Sequence, residues 1–464
     1  LQQAIFHIVG LEDMYFGEKL FLFLPSFVFM KVKFLTATLL SIYLFTNLYG
    51  IKTPTVIWQK SLGGNNVESA YRLFELKDGG YLISGESKSG ISGDKTTESM
   101  SSQTNFWILK LNKNGDVVWQ KTFNNASNYK TYSNGDYSNK CFIDCNSSYW
   151  IIGGDFPVRG DKDRDYWYEL YDHNCQLIRK DTIKTSNYRN ELLISIKLVY
   201  TQNFVVLSKY YEDNNLFMTD PKYMIAVFDN TGAIEKYKNF NFGERIVHEL
   251  SFYNCCSYYL TMTNQEVGRQ KGDDFEIRGL NSLLVHEPAS PLGTFGGDKT
   301  DALEMITQNY FGGFILGGSS NSNISYDKSE DSKGKMDIWV LKTDFRGTKY
   351  WDKTLGGEGD DLISVVRETM DKGLIIGGSS DSNISGDKTE KSLGGFDFWI
   401  IKLNKSGKIL WQMTIGGENM DVLSDIIETK DGYVLLGSSF SDISGNKTAA
   451  NKGDSDYWVI KLKK

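Results

Sequence analysis

The chain has 464 residues, 40% hydrophobic and 14% aromatic, with 45 Gly against 6 Pro. This length admits two or three ordinary domains or one large repeat architecture, and the balance suits many short strands joined by tight turns rather than helices or disorder. A net charge of −7 lacks the clustered Lys and Arg with which nucleic-acid binders displace counterions, so no nucleic-acid partner is expected.

In chain order, residues 30–50 read MKVKFLTATLLSIYLFTNLYG. Lys31 and Lys33 make a basic start, Phe34 to Phe45 an apolar run of signal-peptide length, and Gly50 a small residue suited to cleavage. The expected organisation is an upstream extension over 1–29, which starts at Leu1 and has no repeat character, a signal peptide over 30–50, and one domain over 51–464. The competing reading joins Leu20 to Leu48 as a membrane anchor, but Lys31 and Lys33 interrupt it. An exported chain permits disulfides among Cys141, Cys145, Cys175, Cys255 and Cys256 without demanding them, and one must stay unpaired within a monomer.

From Trp58 onward a repeat appears. WQKSLGG at Trp58, WDKTLGG at Trp351 and WQMTIGG at Trp411 match, with GTFGG at Gly293 a weaker copy, and Trp351 to Trp411 is sixty residues. The unit from Trp351 contains an apolar run from Asp361, a second from Leu374, a third from Phe396 and a fourth from Lys408, separated by Asp371 to Gly373, a long Ser/Gly/Asn loop, and Ser406-Gly407. These are four antiparallel strands, a to d, each ending at a turn signal. LIIGG and FWIIKL are apolar on consecutive residues, which implies burial of both faces and favours stacked blades over a sandwich.

Through the degenerate middle the order persists: KCFIDCN, SSYWIIGG, DYWYELYDHN, QLIRKDT; then ELLISIKLVY, NFVVLSKYY, KYMIAVFDNTG, AIEKYKNF; then RIVHELSFYN, CCSYYLTMTN and, as a poor third strand, GLNSLLVHEP. Unit starts at Trp58, Trp119, Arg179, Lys236, Pro291, Trp351 and Trp411 give seven. The expected fold is all-β, a seven-bladed β-propeller of four-stranded antiparallel blades, with eight blades the alternative. The chain opens on a d strand, Val56 to Leu62, and ends on a c strand, YWVIKL, so its first strand should complete the last blade and remove the unpaired edge. Trp119, Trp351 and Trp411 are expected buried at equivalent points.

The GG after the d-strand Trp, DGGY or DKGL before strand b, GGSS followed by SGDK, and DYW or DFW with IKL opening strand c resemble the propeller repeats of secreted bacterial surface proteins, many associated with type IX secretion. The resemblance runs from about Trp58 to Lys464, strong at both ends and weak from Tyr129 to Pro288. It implies a propeller and an exported compartment and assigns no chemistry. The C-terminal sorting domain many such proteins carry is not seen before Lys464, which leaves the export route open.

The b–c loops and d–a connections should emerge on one face. An acid separated from the GG by three residues recurs there as Glu68, Asp301, Asp361 and Asp421, expected as a ligand-binding acidic ring for a cation or hydroxyl-rich ligand at the channel mouth. The alternative has each carboxylate accepting backbone N–H groups within its own turn. In the b–c loop DSNISGD, Asp381, Asn383, Ser385 and Asp387 are spaced like the start of a calcium loop, but no bidentate Glu follows, and local bonding of a rigid turn is the competing account. Calcium is the one cofactor suggested. Of four His, His7 lies in the extension and His173, His248 and His286 fall in three different units, so no triad or metal centre is indicated. Sialidase-like propellers use short Asp-containing turns, but the SGDKT loops lack the compact spacing to a Trp that those turns have. A quinone-docking strand d and the Cys255-Cys256 pair lie on opposite faces.

The functional expectation is an exported binding or adhesion module, at the cell surface, secreted or in the periplasm, monomeric, with an extracellular or envelope glycan or protein as ligand. The alternative is a glycan-acting hydrolase using carboxylates on the loop-bearing face.

Overall fold

The computed structural model describes residues 53–464 except 100–103, 124–141, 147, 158–163, 184–188, 200–201, 212–221, 243–245, 254–256, 265–273, 282–283, 285–291 and 310–311. The extension, the signal-peptide segment, Cys141, Cys255 and Cys256 lie outside the described residues.

The strands, in chain order, are β1 Thr55–Leu62; β2 Glu68–Glu75, β3 Tyr81–Ser87, β4 Asn105–Leu111, β5 Val117–Phe123; β6 Phe142–Cys145, β7 Tyr149–Pro157, β8 Arg164–Asp172, β9 Leu177–Ile183; β10 Arg189–Val199, β11 Asn203–Tyr211, β12 Lys222–Phe228, β13 Ile234–Asn241; β14 Ile246–Tyr253, β15 Ser257–Asn264, β16 Asp274–Asn281, β17 Gly293–Phe295; β18 Asp301–Gln308, β19 Phe314–Ser320, β20 Asp337–Thr343, β21 Lys349–Leu355; β22 Asp361–Glu368, β23 Leu374–Ser380, β24 Asp397–Leu403, β25 Ile409–Ile415; and β26 Asp421–Thr429, β27 Gly432–Ser439, β28 Asp456–Lys463. They pair as seven four-stranded antiparallel sheets, six of consecutive strands from β2 to β25 and a seventh ordered β1-β28-β27-β26. The protein is a seven-bladed β-propeller, with blades 1 to 7 in that order; the eight-blade alternative falls away.

First strands of successive blades lie side by side around the axis, β18 with β22, β22 with β26 and β26 with β2. Ring closure follows the expected phase: β1 runs antiparallel to β28, with Val56 opposite Leu462 and Leu62 opposite Tyr457. Inner strands such as β23 (LIIGGSS) and β24 (DFWIIKL) are buried on both faces, whereas the outer β1 and β25 are half exposed.

Two sequence readings are corrected. Strand c of blade 4 is Asp274–Asn281, which starts upstream of the apolar GLNSLLVHEP and shares only its GLN: pairing with Ser257–Asn264 fixes its register residue by residue, overriding the apolar signal. The strand-c tryptophans Trp107, Trp339, Trp399 and Trp458 are fully buried, as is Trp150 on β7, while of the d-strand set Trp411 is buried and Trp119 and Trp351 only partly so. Strand d is outermost, with no further strand to cover it. Its next residue does more: Gln120 and Gln412 accept from the indole N–H of Trp107 and Trp399 at 3.1 and 3.0 Å, and their side-chain amides donate to the carbonyls of Asp94 and Asp387 at 2.9 and 2.6 Å. The WQ pair thus ties the cores of blades 1 and 6 to their b–c loops.

Candidate functional site

The b–c loops and GG connections do meet on one face, and the GG pair is the hinge between blades. The first Gly lies against the strand-c Asp of its own blade: a Cβ on Gly416 would stand 1.7 Å from Asp397 Oδ1, and one on Gly356 1.8 Å from Asp337 Oδ1. The second lies against a loop Ser of the next blade, so that Gly357, Gly417 and Gly64 admit Ser382, Ser441 and Ser89. A side chain at either position would push the blades apart.

The four acids beyond the GG start strand a as expected, but they face inward. Glu68, Asp301, Asp361 and Asp421 are fully buried. Their carboxylates accept the amide N–H of Gly64 (2.9 Å), Gly297, Gly357 and Gly417 (2.6 Å each), and hydroxyls of Ser87, Ser322, Ser382 and Ser441 donate to the same groups at 2.7 to 3.0 Å. These bonds close the turn that starts each blade.

Two further charged groups accompany each acid. Strand c begins with Asp337, Asp397 or Asp456, fully buried, whose Oδ2 accepts the backbone N–H of Lys333 (2.7 Å), Leu393 (2.6 Å) or Lys452 (2.9 Å). The Lys of each SGDK loop (Lys95, Lys328, Lys388 and Lys447) folds inward over its strand-c Trp ring at 5.7 to 5.9 Å. Lys447 Nζ donates to Ser439 Oγ (2.9 Å), the Ser441 carbonyl (2.7 Å) and Asn451 Oδ1 (2.5 Å); Lys388 Nζ donates to Thr414 Oγ1 at 2.8 Å. Blade 1 departs, with Asn105 at the strand-c position.

Burial dominates the electrostatics. It pushes the carboxyls of Glu68, Asp301, Asp361, Asp397, Asp421 and Asp456 above the usual carboxylate range, and acid neighbours across the junction add to this, Asp337 on Asp361, Asp421 on Asp397 and Asp456 on Glu68. Burial likewise lowers Lys95, Lys328 and Lys388, and Lys447 to about 8.

In the loop suggested for calcium, Asp381 accepts the N–H of Asp360 (2.7 Å) and Ser385 Oγ that of Glu358 (2.8 Å) while donating to the Asn383 carbonyl (3.1 Å). Asp387 lies 3.1 Å from Lys333 Nζ of the blade before. Asp94 meets Lys452 the same way at 2.6 Å. Where the loop carries Asn446 instead of Asp, the facing position is Leu393 instead of Lys. Among the described residues no group of three His, Cys, Asp or Glu is arranged to hold a metal. Cys145 and Cys175 are free thiols, pushed up by burial to about 12 and about 11.

These contacts hold up a feature that sequence reading passed over. The residue before each loop's Ser is Ile91, Ile324, Ile384 or Ile443, exposed by 60, 62, 67 and 63%. Each stands beside a bridge that fixes the tip, Ser92 with Lys95, Ser325 with Lys328, Ser385 with Lys388 and Ser444 with Lys447. Blades 5, 6, 7 and 1 are consecutive around the ring, so the four side chains form an arc on one face. The repeated I-S before the GDK was the available signal.

The fold and this face define a β-propeller whose regular half displays a repeated loop. No protein-family model and no curated protein matches the chain. Among solved structures it is similar to the β-propeller domain of the trilobed protease from Pyrococcus furiosus (9% identity, TM-score 0.45, covering 88% of this chain and 96% of that one). It is also similar to the parainfluenza virus 5 hemagglutinin-neuraminidase ectodomain (7%, 0.42, 89% and 84%). A third is puromycin hydrolase (7%, 0.47, 84% of this chain and 53% of that one).

Proposed function

We propose that the protein is an exported binding or adhesion module that engages an extracellular or envelope ligand, glycan or protein, through its loop-bearing face, as a monomer. The observation that carries this reading is the arc of Ile91, Ile324, Ile384 and Ile443, four large apolar side chains held exposed on rigid, equivalent tips. Exposed apolar groups on preordered loops bind at little conformational cost, and repetition at blade pitch suits a multivalent or extended ligand. Export rests on the basic start and apolar run of residues 30–50. Carboxylates act in hydrolysis only where they reach a substrate, whereas Glu68, Asp301, Asp361 and Asp421 are buried and bonded inside their own turns, which favours binding over the hydrolase alternative.

The test is retention of the purified chain on arrays of glycans and envelope proteins, beside a variant carrying Ile324→Ser, Ile384→Ser and Ile443→Ser. Exposed positions should leave the unfolding midpoint unchanged while binding falls at least tenfold. Undiminished binding in the triple variant would refute the reading.

A further inference from the structure

The outer wall carries a second feature, seen by comparing two junctions residue by residue. Where blade 7 meets blade 1, Trp58 lies over Gly115 and Lys60 Nζ sits 3.0 Å from Asp116 Oδ1, bridging the blades. Where blade 5 meets blade 6, Trp351 takes the place of Trp58, Lys353 of Lys60, Gly407 of Gly115 and Lys408 of Asp116. Two ammonium groups cannot bridge a junction. Lys353 pairs instead with Glu330 of its own blade at 2.6 Å, and exposed Lys408 has no ion-pair partner among the described residues. A groove of about 500 Å3 lies there, lined by Glu330, Trp351, Lys353, Gly407, Lys408 and Ile409, within the ~300–1,000 Å3 usual for small-ligand sites.

Three chemistries converge on it. The uncovered part of the Trp351 indole offers an apolar aromatic surface that suits the C–H face of a pyranose. Glu330, 32% exposed, accepts hydroxyl protons, and the unpaired ammonium of Lys408 favours an anion. We propose that this groove is a subsite for an acidic saccharide, with the sugar ring on Trp351 and its carboxylate on Lys408. It is separate from the loop-tip arc and stands or falls independently of it.

Isothermal titration calorimetry of the full chain with digalacturonate, and with galactobiose as its neutral counterpart, tests this. Digalacturonate should bind about tenfold more tightly, the worth of one partly exposed charge-assisted bond. Lys408→Met should erase that preference and leave galactobiose binding unchanged. Lys408→Asp, which recreates the Lys–Asp bridge of the other junction on an exposed residue, should close the groove and weaken both sugars tenfold or more. The proposal is overturned if the unmutated chain binds neither sugar or binds both equally, if the preference survives Lys408→Met, or if Lys408→Asp binds as before.

Discussion

Replacing Gly416 by Ala tests the account of the GG hinge most sharply. The added methyl would stand 1.7 Å from Asp397 Oδ1, so carboxylate or backbone must shift by about 1.5 Å to reach ordinary contact. Asp397 is not free to yield: it is fully buried, and its Oδ2 accepts from Leu393 N at 2.6 Å and Ser392 Oγ at 2.9 Å. Losing or straining two such bonds costs about 1 kcal/mol each, and overpacking adds about 1 to 3 kcal/mol. The expected loss is therefore about 3 to 5 kcal/mol, read as a fall in the urea midpoint. Asp397→Ala alone should cost about 2 kcal/mol, by leaving Leu393 N unpaired. The double variant should be little worse than Asp397→Ala, because the clash partner is gone, giving a coupling of about 2 kcal/mol or more. Gly90→Ala, where the methyl would meet nothing within 4 Å, is the control and should change stability by less than about 0.5 kcal/mol. A cost under about 1 kcal/mol for Gly416→Ala, or additivity within about 0.5 kcal/mol, would refute the reasoning.

Trp399→Ala should cost about 3 to 5 kcal/mol and Trp351→Ala clearly less, since the first is fully buried and the second is not; equal losses in chemical denaturation would contradict the burial pattern. Deleting the chain through Leu62 leaves the β28 edge unpaired and removes the buried Leu62 and packed Trp58, so stability should drop by about 3 kcal/mol or more; an unchanged thermal midpoint would sink the closure argument. Because their pKa values are raised, the buried carboxyls hold protons in the folded chain that the unfolded chain releases near pH 4. Stability should therefore fall as pH rises from about 4. Lys447, lowered to about 8, binds fewer protons folded than unfolded up to about pH 10.4, so stability should climb again between pH 8 and 10, and Lys447→Met should flatten that climb. Tyr326 occupies with φ 43° the position that Gly93, Gly386 and Gly445 hold at 53° to 54°; Tyr326→Gly should stabilise by about 1 kcal/mol, seen as a higher urea midpoint.

The fold was legible because four of its signals repeat in register. The WQK-GG, DGG and SGDK punctuation and the doubly apolar strands showed four strands per blade and the phase at which β1 joins β28, and pointed to seven blades with eight left open. Strand c of blade 4 was not legible, because DFEIRGLN carries little apolar signal and only its partner strand sets its register. The carboxylates were found at their places but not in their setting. Sequence shows that Asp361 stands four residues beyond Gly357; only the fold shows that the Gly357 amide and the Ser382 hydroxyl enclose it. Nothing local to the SGDK loop says that Lys388 turns inward toward Trp399 and Thr414. Exposed Ile384 was equally silent, since an apolar residue in a loop is read as buried until a structure shows otherwise.

The position of the closure seam follows from the same contacts. In a ring closed by strand exchange the chain still runs from the last blade into the first, here from β1 through Gly63-Gly64 to β2, and the seam that chain continuity does not join lies inside blade 7, between β1 and β28. Here that seam lies inside the regular arc of blades 5, 6, 7 and 1 rather than in the degenerate half. The adjoining junction of blade 7 with blade 1 is well supplied with contacts: Ser438 Oγ accepts from Ala70 N at 2.8 Å, Asp425 from Leu73 N at 3.0 Å, and Lys452 meets Asp94 at 2.6 Å. Ser455 adds two bonds of its own, its carbonyl accepting from Glu68 N and its hydroxyl donating to the Glu68 carbonyl, each at 2.9 Å. These contacts reinforce, beside it, the noncovalent β1–β28 pairing that closes the ring.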